Sequence, residues 1–133
     1  MTFRNIRNVM LLAGSLVLAG CSTFVGGNLA PEGKPTGSII VANNSSYVIN
    51  TITISRCSAM SYGLDILDGE ITRGQSRRWT VEGNQCWDVQ AAWVTSLTGP
   101  SAMAEFKGIQ VRPGQTWRLT VGPGGEEQRE RLN

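Results

Sequence analysis

The feature that most limits the fold of this chain is a series of short β-type segments, each ended by glycine, proline, asparagine or another polar residue. Ser38–Ala42 is a β-branched run that ends in polar residues, and Tyr47–Ser55 alternates, with Val48, Ile52 and Ile54 on one face. Such alternation is typical of a half-buried strand. We expect these two segments to form an antiparallel pair joined by the polar turn between them.

The rest of the chain continues in the same way, and no later stretch keeps a helical period. Further strand candidates are Leu64–Leu67, Ile71, Trp79–Val81, Cys86–Val94, Met103–Val111 and Thr116–Val121. Leu97–Ala104, with Gly99 and Pro100 near its centre, is predicted as a loop or hairpin connection. About seven or eight short strands without helices predict an all-β fold, a small antiparallel β-sandwich, with a small closed barrel as the alternative. The predicted inward residues are Ile40, Ile52, Ile54, Leu67, Val81, Val89 and Val121.

Two segments of the chain resemble each other. Ile71–Val81 aligns without gaps with Val111–Val121, and five of eleven positions are identical. Each copy has a Gly-Gln pair, then Ser or Thr, then an alternating strand, and glycine tolerates the positive φ of tight turns. The pattern predicts two equivalent corners of one sandwich, and a duplicated binding site is the alternative.

Residues 1–20 have the composition of an export signal. Arg4 and Arg7 give a positive start. The apolar run Val9–Ala19 is much shorter than the roughly 20 residues that a membrane-spanning helix needs. We expect a cleaved signal peptide.

A short motif, Leu18-Ala19-Gly20-Cys21, closes this run and resembles the lipobox of bacterial lipoproteins. The resemblance implies that the Cys21 thiol receives a diacylglyceryl group, the signal peptide is removed before Cys21, and the new amino terminus is acylated. Two or more acyl chains hold a protein stably at a membrane. Ser22 stands where aspartate usually retains Gram-negative lipoproteins in the inner membrane, which implies the outer membrane, on its periplasmic face. An ordinary secretory signal followed by a chance cysteine is the alternative.

The composition after the signal peptide divides the chain further. Residues 21–37 are rich in glycine and proline and predict a lipidated flexible tether; a segment of this length spans roughly 20 to 24 Å root-mean-square. Residues 38–122 are the predicted sandwich domain, and residues 123–133 are a predicted polar, solvated tail.

The charge of this chain argues against nucleic acid as a partner. The formal charge of +2 is that of Arg4 and Arg7, because the residues from Cys21 onward hold ten basic and ten acidic side chains. A neutral domain without a basic block lacks the charge that dominates binding to phosphates. We therefore expect no contact with nucleic acid.

Cys57 and Cys86 are the cysteines that remain when Cys21 carries lipid. In an exported chain of this size they predict a disulfide bond. A metal or redox pair is the competing interpretation. It has little support, because the chain has no histidine and no CxxC spacing.

No residue pattern in this chain points to catalysis, a metal or a cofactor. The acidic candidates are Asp65, Asp68, Glu70 and Asp88. They do not alternate as calcium loops do. Histidine, the most frequent general base, is absent, and a Ser-Lys dyad would depend on Lys34 or Lys107. We expect a protein that is not an enzyme.

Four tryptophans are the strongest candidates for contact with other molecules, because tryptophan offers a large contact area at low entropic cost. Trp87 adjoins Cys86, and we expect it in the core, packed on the disulfide. The predicted ligand or partner contacts are Arg77, Arg78, Trp79, Trp93 and Trp117. Core positions for the tryptophans and a solvated strand face for the arginines are the alternatives.

Ser38–Trp93 also resembles a group of small exported bacterial β-domains without an assigned activity. The segments that carry this resemblance are Asn43-Asn44-Ser45, Ile52-Thr53-Ile54-Ser55, Tyr62-Gly63-Leu64-Asp65-Ile66-Leu67, Gly74-Gln75-Ser76 and Cys86-Trp87-Asp88-Val89. Together these patterns predict a membrane-anchored, non-enzymatic binding or scaffolding module with a protein partner in the cell envelope. A binder of small ligands or glycans is the alternative.

Overall fold

A computed structural model describes residues 28–60, 63–95 and 101–133, and its fold is the predicted all-β sandwich. The strands are β1 Thr36–Asn43, β2 Ile49–Arg56, β3 Ser76–Glu82, β4 Gln85–Val94, β5 Ser101–Val111, β6 Thr116–Val121 and β7 Glu127–Arg131. One sheet has the order β3-β1-β6-β7 and the other β2-β4-β5. Neighbouring strands are antiparallel except β1 and β6, which run parallel. In the described ranges no helix has the length and apolarity to cross a membrane.

The predicted signal peptide, Cys21 and the first part of the predicted tether lie outside the described residues, as do positions 61–62 and 96–100. The predicted connection at Leu97–Ala104 therefore falls partly outside. Its last part belongs to β5, which begins at Ser101 and pairs antiparallel with β4.

The core lies between the two sheets, and Trp87 and Phe106 are its largest fully buried side chains. Six of the seven predicted inward residues are buried: Ile52, Ile54, Leu67, Val81, Val89 and Val121. The prediction for Ile40 is wrong, because Ile39 and Val41 are fully buried in its place. In a strand a shift of one residue moves every side chain to the other face. Ile39, Ile40 and Val41 are all apolar, so the sequence of this run does not show which of these side chains face the core.

The predicted hairpin of β1 and β2 is also wrong, since the two strands belong to different sheets. The polar run between them crosses from one sheet to the other around the buried side chain of Asn43. Its Nδ2 donates to the carbonyls of Tyr47 at 2.7 Å and Ile71 at 2.8 Å, and its Oδ1 accepts from the Ser45 N–H at 2.9 Å. One amide thus satisfies three backbone groups at the crossing, which buried polar groups require.

The predicted face of β2 holds for Ile52 and Ile54 but not for Val48, which is exposed. The pairing of β2 with β4 shifts register between Ile49 and Thr51. Ile49, on the other side of this irregularity, is fully buried instead. A bulge of this kind changes the parity of the alternation along a strand.

Leu64–Leu67 is not the predicted strand, although it lies along the edge of β2. The Asp65 carboxylate accepts from the N–H groups of Ile52 and Leu67, both at 2.9 Å. The Ile66 N–H donates to the Ile52 carbonyl at 2.8 Å, and Ile71 bridges to Ile49. The Asp65 side chain therefore binds a backbone group of β2 that a neighbouring strand would otherwise bind. This edge of the three-stranded sheet is covered.

The two repeated segments form equivalent corners on either side of β1, as predicted. Gly74 and Gly114 have φ angles of 85° and 79°. The Gly74 N–H donates to the Asn43 carbonyl at 2.7 Å, and the Gly114 N–H donates to the Thr36 carbonyl at 2.9 Å. Each glycine thus fixes its corner to one end of β1.

The glutamine that follows each glycine closes the same turn. The Gln75 Oε1 accepts from the Thr72 N–H and the Gln115 Oε1 accepts from the Arg112 N–H, both at 3.0 Å. β3 and β6, which follow these corners, flank β1 on its two sides. Both copies of the repeat therefore have a structural role, which is to place one strand on each side of β1.

The domain begins earlier than the predicted boundary at residue 38. β1 starts at Thr36. Before it, the Leu29 carbonyl accepts from the Glu82 N–H at 2.6 Å, and the Pro35 carbonyl accepts from the Gly83 N–H at 2.8 Å. The Leu29 side chain packs against the core. Residues 28–35, in the predicted tether, are thus attached to the domain.

The segment predicted as a polar tail contains a strand. β7, Glu127–Arg131, pairs antiparallel with β6 and forms an edge of the four-stranded sheet. All five of its side chains are exposed. A strand without a buried face has no apolar alternation, which is why its sequence resembles a solvated tail.

Candidate functional site

The predicted disulfide is present, and it joins β4 to the residue that follows β2. Cys57 and Cys86 are bonded with a Cα–Cα distance of 5.4 Å, and the Cys57 N–H donates to the Cys86 carbonyl at 3.0 Å. Trp87 is fully buried, as expected for a core residue. Because adjacent strand residues point to opposite faces, however, it points away from the disulfide. Its ring contacts the Arg56 guanidinium instead, at 4.8 Å from the ring centroid.

Asp88, one of the acidic candidates, has a structural role beside the disulfide. Its Oδ1 accepts from the Gly108 N–H at 2.9 Å, where the pairing of β4 and β5 shifts register, and lies 3.4 Å from the Cys57 sulfur. Cys57, Cys86 and Asp88 lie close together as potential metal ligands would. Bonded to each other, the two sulfurs cannot act as thiolates, so this cluster does not form a metal centre.

None of the four tryptophans is an exposed side chain. Trp93 is buried and stacks on Tyr47 with ring centroids 5.1 Å apart. Trp79 and Trp117 are half-buried against the core and flank Ile39 in register. These positions leave little ring surface for a sugar, since stacking requires an accessible ring face.

The consecutive residues Arg77, Arg78 and Trp79 do not form one patch. They alternate along β3, so Arg77 and Trp79 share the core-side face, while Arg78 points to the outer face. There the Arg78 guanidinium donates to the Ser38 hydroxyl at 3.2 Å and to the Thr116 hydroxyl at 3.4 Å. Arg78 therefore lies over the sheet and leaves the edge of β3 uncovered.

The outer face of the four-stranded sheet holds a second arginine, Arg118, which is not among the predicted contact residues. Arg118 and Arg78 both pair in register with Ile40, and the Arg118 guanidinium binds the Glu130 carboxylate at 2.7 Å. The internal repeat aligns Arg118 with Arg78, so this signal was present in the sequence. Beside Arg118 is an open depression of about 450 Å³ above Ala42. Its other polar lining residues include Asn44, Thr120 and Gln128.

β3 is an edge strand, and part of its backbone has no partner. Every second residue of β3 and its neighbours bonds to β1 or to the residues that flank β1. The Asn43 N–H donates to the Gln75 carbonyl at 3.0 Å, and the Gly83 N–H donates to the Pro35 carbonyl at 2.8 Å. The N–H and C=O groups of Arg78 and Thr80 therefore point away from β1. Within the described ranges, no backbone group pairs with them. At the end of the strand the outward N–H of Glu82 bonds to the Leu29 carbonyl, so we call Ser76–Thr80 on this side the open edge of β3.

The edge of the three-stranded sheet at β5 is, by contrast, covered by side chains from β6 and β7. The Glu127 carboxylate accepts from the Glu105 N–H at 2.9 Å, and the Arg129 guanidinium donates to the Lys107 carbonyl at 2.8 Å. Further along, the Trp117 Nε1 donates to a carbonyl of the same strand. Strand β7 is itself an edge, with acidic and basic residues interspersed.

The open edge of β3 also differs in charge from the edges at β5 and β7. Arg73, Arg77 and Arg78 have no carboxylate within 4.0 Å among the described residues. The acidic residue of β3, Glu82, is bonded to Arg56 at 3.3 Å. This edge therefore combines unpaired backbone groups, which can pair with an added strand, with unneutralised positive charge, which opposes pairing with a like-charged segment.

Comparison with known proteins does not place this chain in a family: no family model matches it, and no curated protein matches it. A solved structure to which it is similar is an NMR structure of a protein from Eubacterium rectale, at 16% identity and a TM-score of 0.47. The alignment covers 78% of this chain and 95% of that chain.

Proposed function

We propose that this chain is a non-enzymatic binding or scaffolding lipoprotein of the cell envelope. Cys21 carries the lipid and holds the domain at the periplasmic face of the outer membrane, where it binds a protein partner. The motif Leu18-Ala19-Gly20-Cys21, followed by Ser22, supports this location.

The observation that carries the binding proposal is the open edge of β3. The outward groups of Arg78 and Thr80 offer two donors and two acceptors, which an extended partner segment satisfies by strand addition. Arg73 and Arg77 favour a partner segment with acidic side chains, because complementary charge selects partners and speeds association. Main-chain hydrogen bonds would supply the affinity and these arginines the selectivity.

The test is a proline at a position that removes only an outward N–H. Thr80→Pro deletes one of the two donors of the open edge and leaves the bonds to β1 in place, because proline is tolerated on edge strands. Arg131→Pro makes the same change at the exposed edge of β7 and is the matched control. A photoreactive residue at position 76 records partners in intact cells.

We expect Thr80→Pro to lose the crosslinked partner and Arg131→Pro to keep it, while both variants retain the circular dichroism of the parent protein. An equal yield of the same crosslinked partner in both variants would reject strand addition at β3. Absence of any crosslinked protein in the parent chain would remove the main support for a scaffolding role.

A second candidate function, binding of a small polar ligand or glycan, is favoured by the depression above Ala42 and not by the tryptophans. Arg118, Asn44 and Gln128 supply a cation and two amides around it. An Arg118→Ala variant that lost binding in a glycan screen, with Arg78→Ala as control, would favour this function.

A further inference from the structure

A groove crosses the outer face of the four-stranded sheet. It consists of the depression of about 450 Å³ above Ala42 and a smaller one of about 330 Å³, and Ala42, Asn44 and Arg118 line both. Because these residues are shared, the two depressions meet above β1. The smaller one extends to Gln75 and Ser76, where β3 begins, and the larger one extends to β7. The groove therefore crosses all four strands of the sheet.

The register of the strands explains why a groove forms at this place. One row of side chains across the outer face contains Ser76, Ala42, Thr120 and Gln128. The next row contains Arg78, Ile40, Arg118 and Glu130. The first row has mostly short side chains and the second has long ones, so the first row is the floor of the groove and the second is a wall. Neighbouring strands are about 4.8 Å apart, and the floor is therefore about 14 Å long.

The floor and the rim opposite this wall are polar and uncharged. In the described ranges, the side chains of Asn44, Thr120 and Gln128 make no hydrogen bond to another protein group. Amides and hydroxyls both donate and accept hydrogen bonds. The backbone of β1 and β6 is paired within the sheet, so a ligand in the groove meets side chains. A ligand with many hydroxyl groups, such as a saccharide, can bond to them.

The charge of the groove is positive. Its charged lining residues are Arg118, Arg129 and Glu130, two cations and one anion, which gives a formal charge of +1. The Arg118 Nη2 donates to the Glu130 carboxylate at 2.7 Å. Arginine presents five donors in a planar fork that matches a carboxylate. Since Glu130 uses only part of this fork, the same guanidinium can also bind a carboxylate of a ligand.

We infer that the groove binds a carboxylate-bearing saccharide, with Arg118 on the carboxylate and the side chains of Asn44, Thr120 and Gln128 on the hydroxyls. This assignment rests on the second candidate function and adds the class of glycan to it. Glu130 fixes the position of Arg118 but also competes with the ligand for its charge. The charges are exposed and contribute little each, so we expect weak binding, with dissociation constants on the order of 1 mM.

The experiment is an NMR titration of the full chain in nonionic detergent. Two acidic disaccharides are compared with neutral counterparts: digalacturonic acid with galactobiose, and the disaccharide of N-acetylglucosamine and N-acetylmuramic acid with chitobiose. We expect at least one acid to bind about fivefold more tightly than its counterpart at low salt, and this preference to shrink in about 0.5 M NaCl, because salt screens exposed charges. Shifts of the side-chain amide signals of Asn44 and Gln128 locate the ligand in the groove.

Three variants separate the roles of the charged residues. Arg118→Gln removes the cation and should abolish the preference for the acid. Glu130→Gln keeps an acceptor for Arg118 and removes the competing charge, so it should tighten binding of the acid by about twofold and leave the neutral disaccharide unchanged. Arg78→Gln is the matched control, because Arg78 lies on the same face of the sheet but does not line either depression. It should keep the preference. Circular dichroism checks that all three variants fold.

The results that would overturn the inference differ from one another. Equal binding of acidic and neutral disaccharides, with amide shifts at Asn44 and Gln128, would keep the second candidate function and reject an acidic ligand. A preference for the acid that survives Arg118→Gln would place the site outside this groove. Binding of none of the four disaccharides would reject the glycan function as well, whereas strand addition at β3 is decided separately by the proline variants.

Discussion

The backbone N–H of Glu82 donates to the carbonyl of Leu29 at 2.6 Å, on the side of β3 that faces away from β1. This bond shows that the edge of β3 already pairs with another segment of the chain at one end. The next outward positions, Thr80 and Arg78, continue the same row without a described partner. Leu29 therefore marks where a bound strand would begin.

Amide hydrogen exchange should report this alternation directly. We expect the N–H groups of Arg78 and Thr80 to exchange rapidly, because they point into solvent, and those of Trp79 and Val81 to be protected by β1. Glu82, although it points outward, should be protected by Leu29. Residue-resolved exchange measured by NMR checks this pattern. Slow exchange at Arg78 and Thr80 in the isolated domain would show that the edge is covered.

The disulfide should contribute a large part of the stability of so small a domain. Cys57 and Cys86 are 29 residues apart in sequence. Closing a loop of about this length stabilises a fold by roughly 3 to 4 kcal/mol on the chain-entropy model. We expect the double variant Cys57→Ser/Cys86→Ser to lose stability of this order in urea unfolding.

Reduction of the parent protein by dithiothreitol is the matched control for the disulfide prediction, since it removes the bond without changing other atoms of the side chains. It should lower the free energy of unfolding by a similar amount. A loss below about 1 kcal/mol in both experiments would show that the native state gains little from the bond.

The sequence predicted those features that depend on neighbouring residues in the chain. The corners at Gly74 and Gly114 were recognised from the repeat, because a Gly-Gln turn followed by an alternating strand is a local pattern. The disulfide followed from the count of cysteines after Cys21. Arg118 could have been found in the same way, since the repeat pairs it with Arg78.

Features decided by distant contacts were not predicted. The polar residues after β1 suit a hairpin turn equally well, and the crossing is set by Asn43 binding the carbonyl of Ile71, 28 residues further on. β7 has no buried face and hence no period to detect. The patch at Arg77, Arg78 and Trp79 was grouped by proximity in sequence, and strand alternation separates it.

Asn43 should be the most sensitive polar residue of the domain. Asn43→Ala removes three hydrogen bonds to the backbone and leaves the buried N–H of Ser45 without a partner. The Ile71 carbonyl keeps its bond from the Ile49 N–H at 3.1 Å, and the Tyr47 carbonyl keeps the Ser45 hydroxyl at 3.4 Å. An unsatisfied buried group costs about 1 to 3 kcal/mol, so we expect a loss of that order in thermal or urea unfolding. Asn44→Ala, at an exposed neighbour, is the control and should change stability by less than about 0.5 kcal/mol. Equal effects of the two variants would contradict the assigned role of Asn43.

The proposed lipid anchor is tested by changing Cys21 and Ser22, the two residues on which the proposal depends. Cys21→Ser cannot form the thioether to diacylglycerol, so we expect a soluble or uncleaved product that no longer fractionates as a processed lipoprotein. Ser22→Asp keeps the lipid and should move the protein from the outer to the inner membrane in a sucrose gradient, while Ser22→Ala, the matched control, should stay in the outer membrane. Unchanged, processed, membrane-bound protein after Cys21→Ser would show that something other than lipid on this cysteine holds the domain at the membrane.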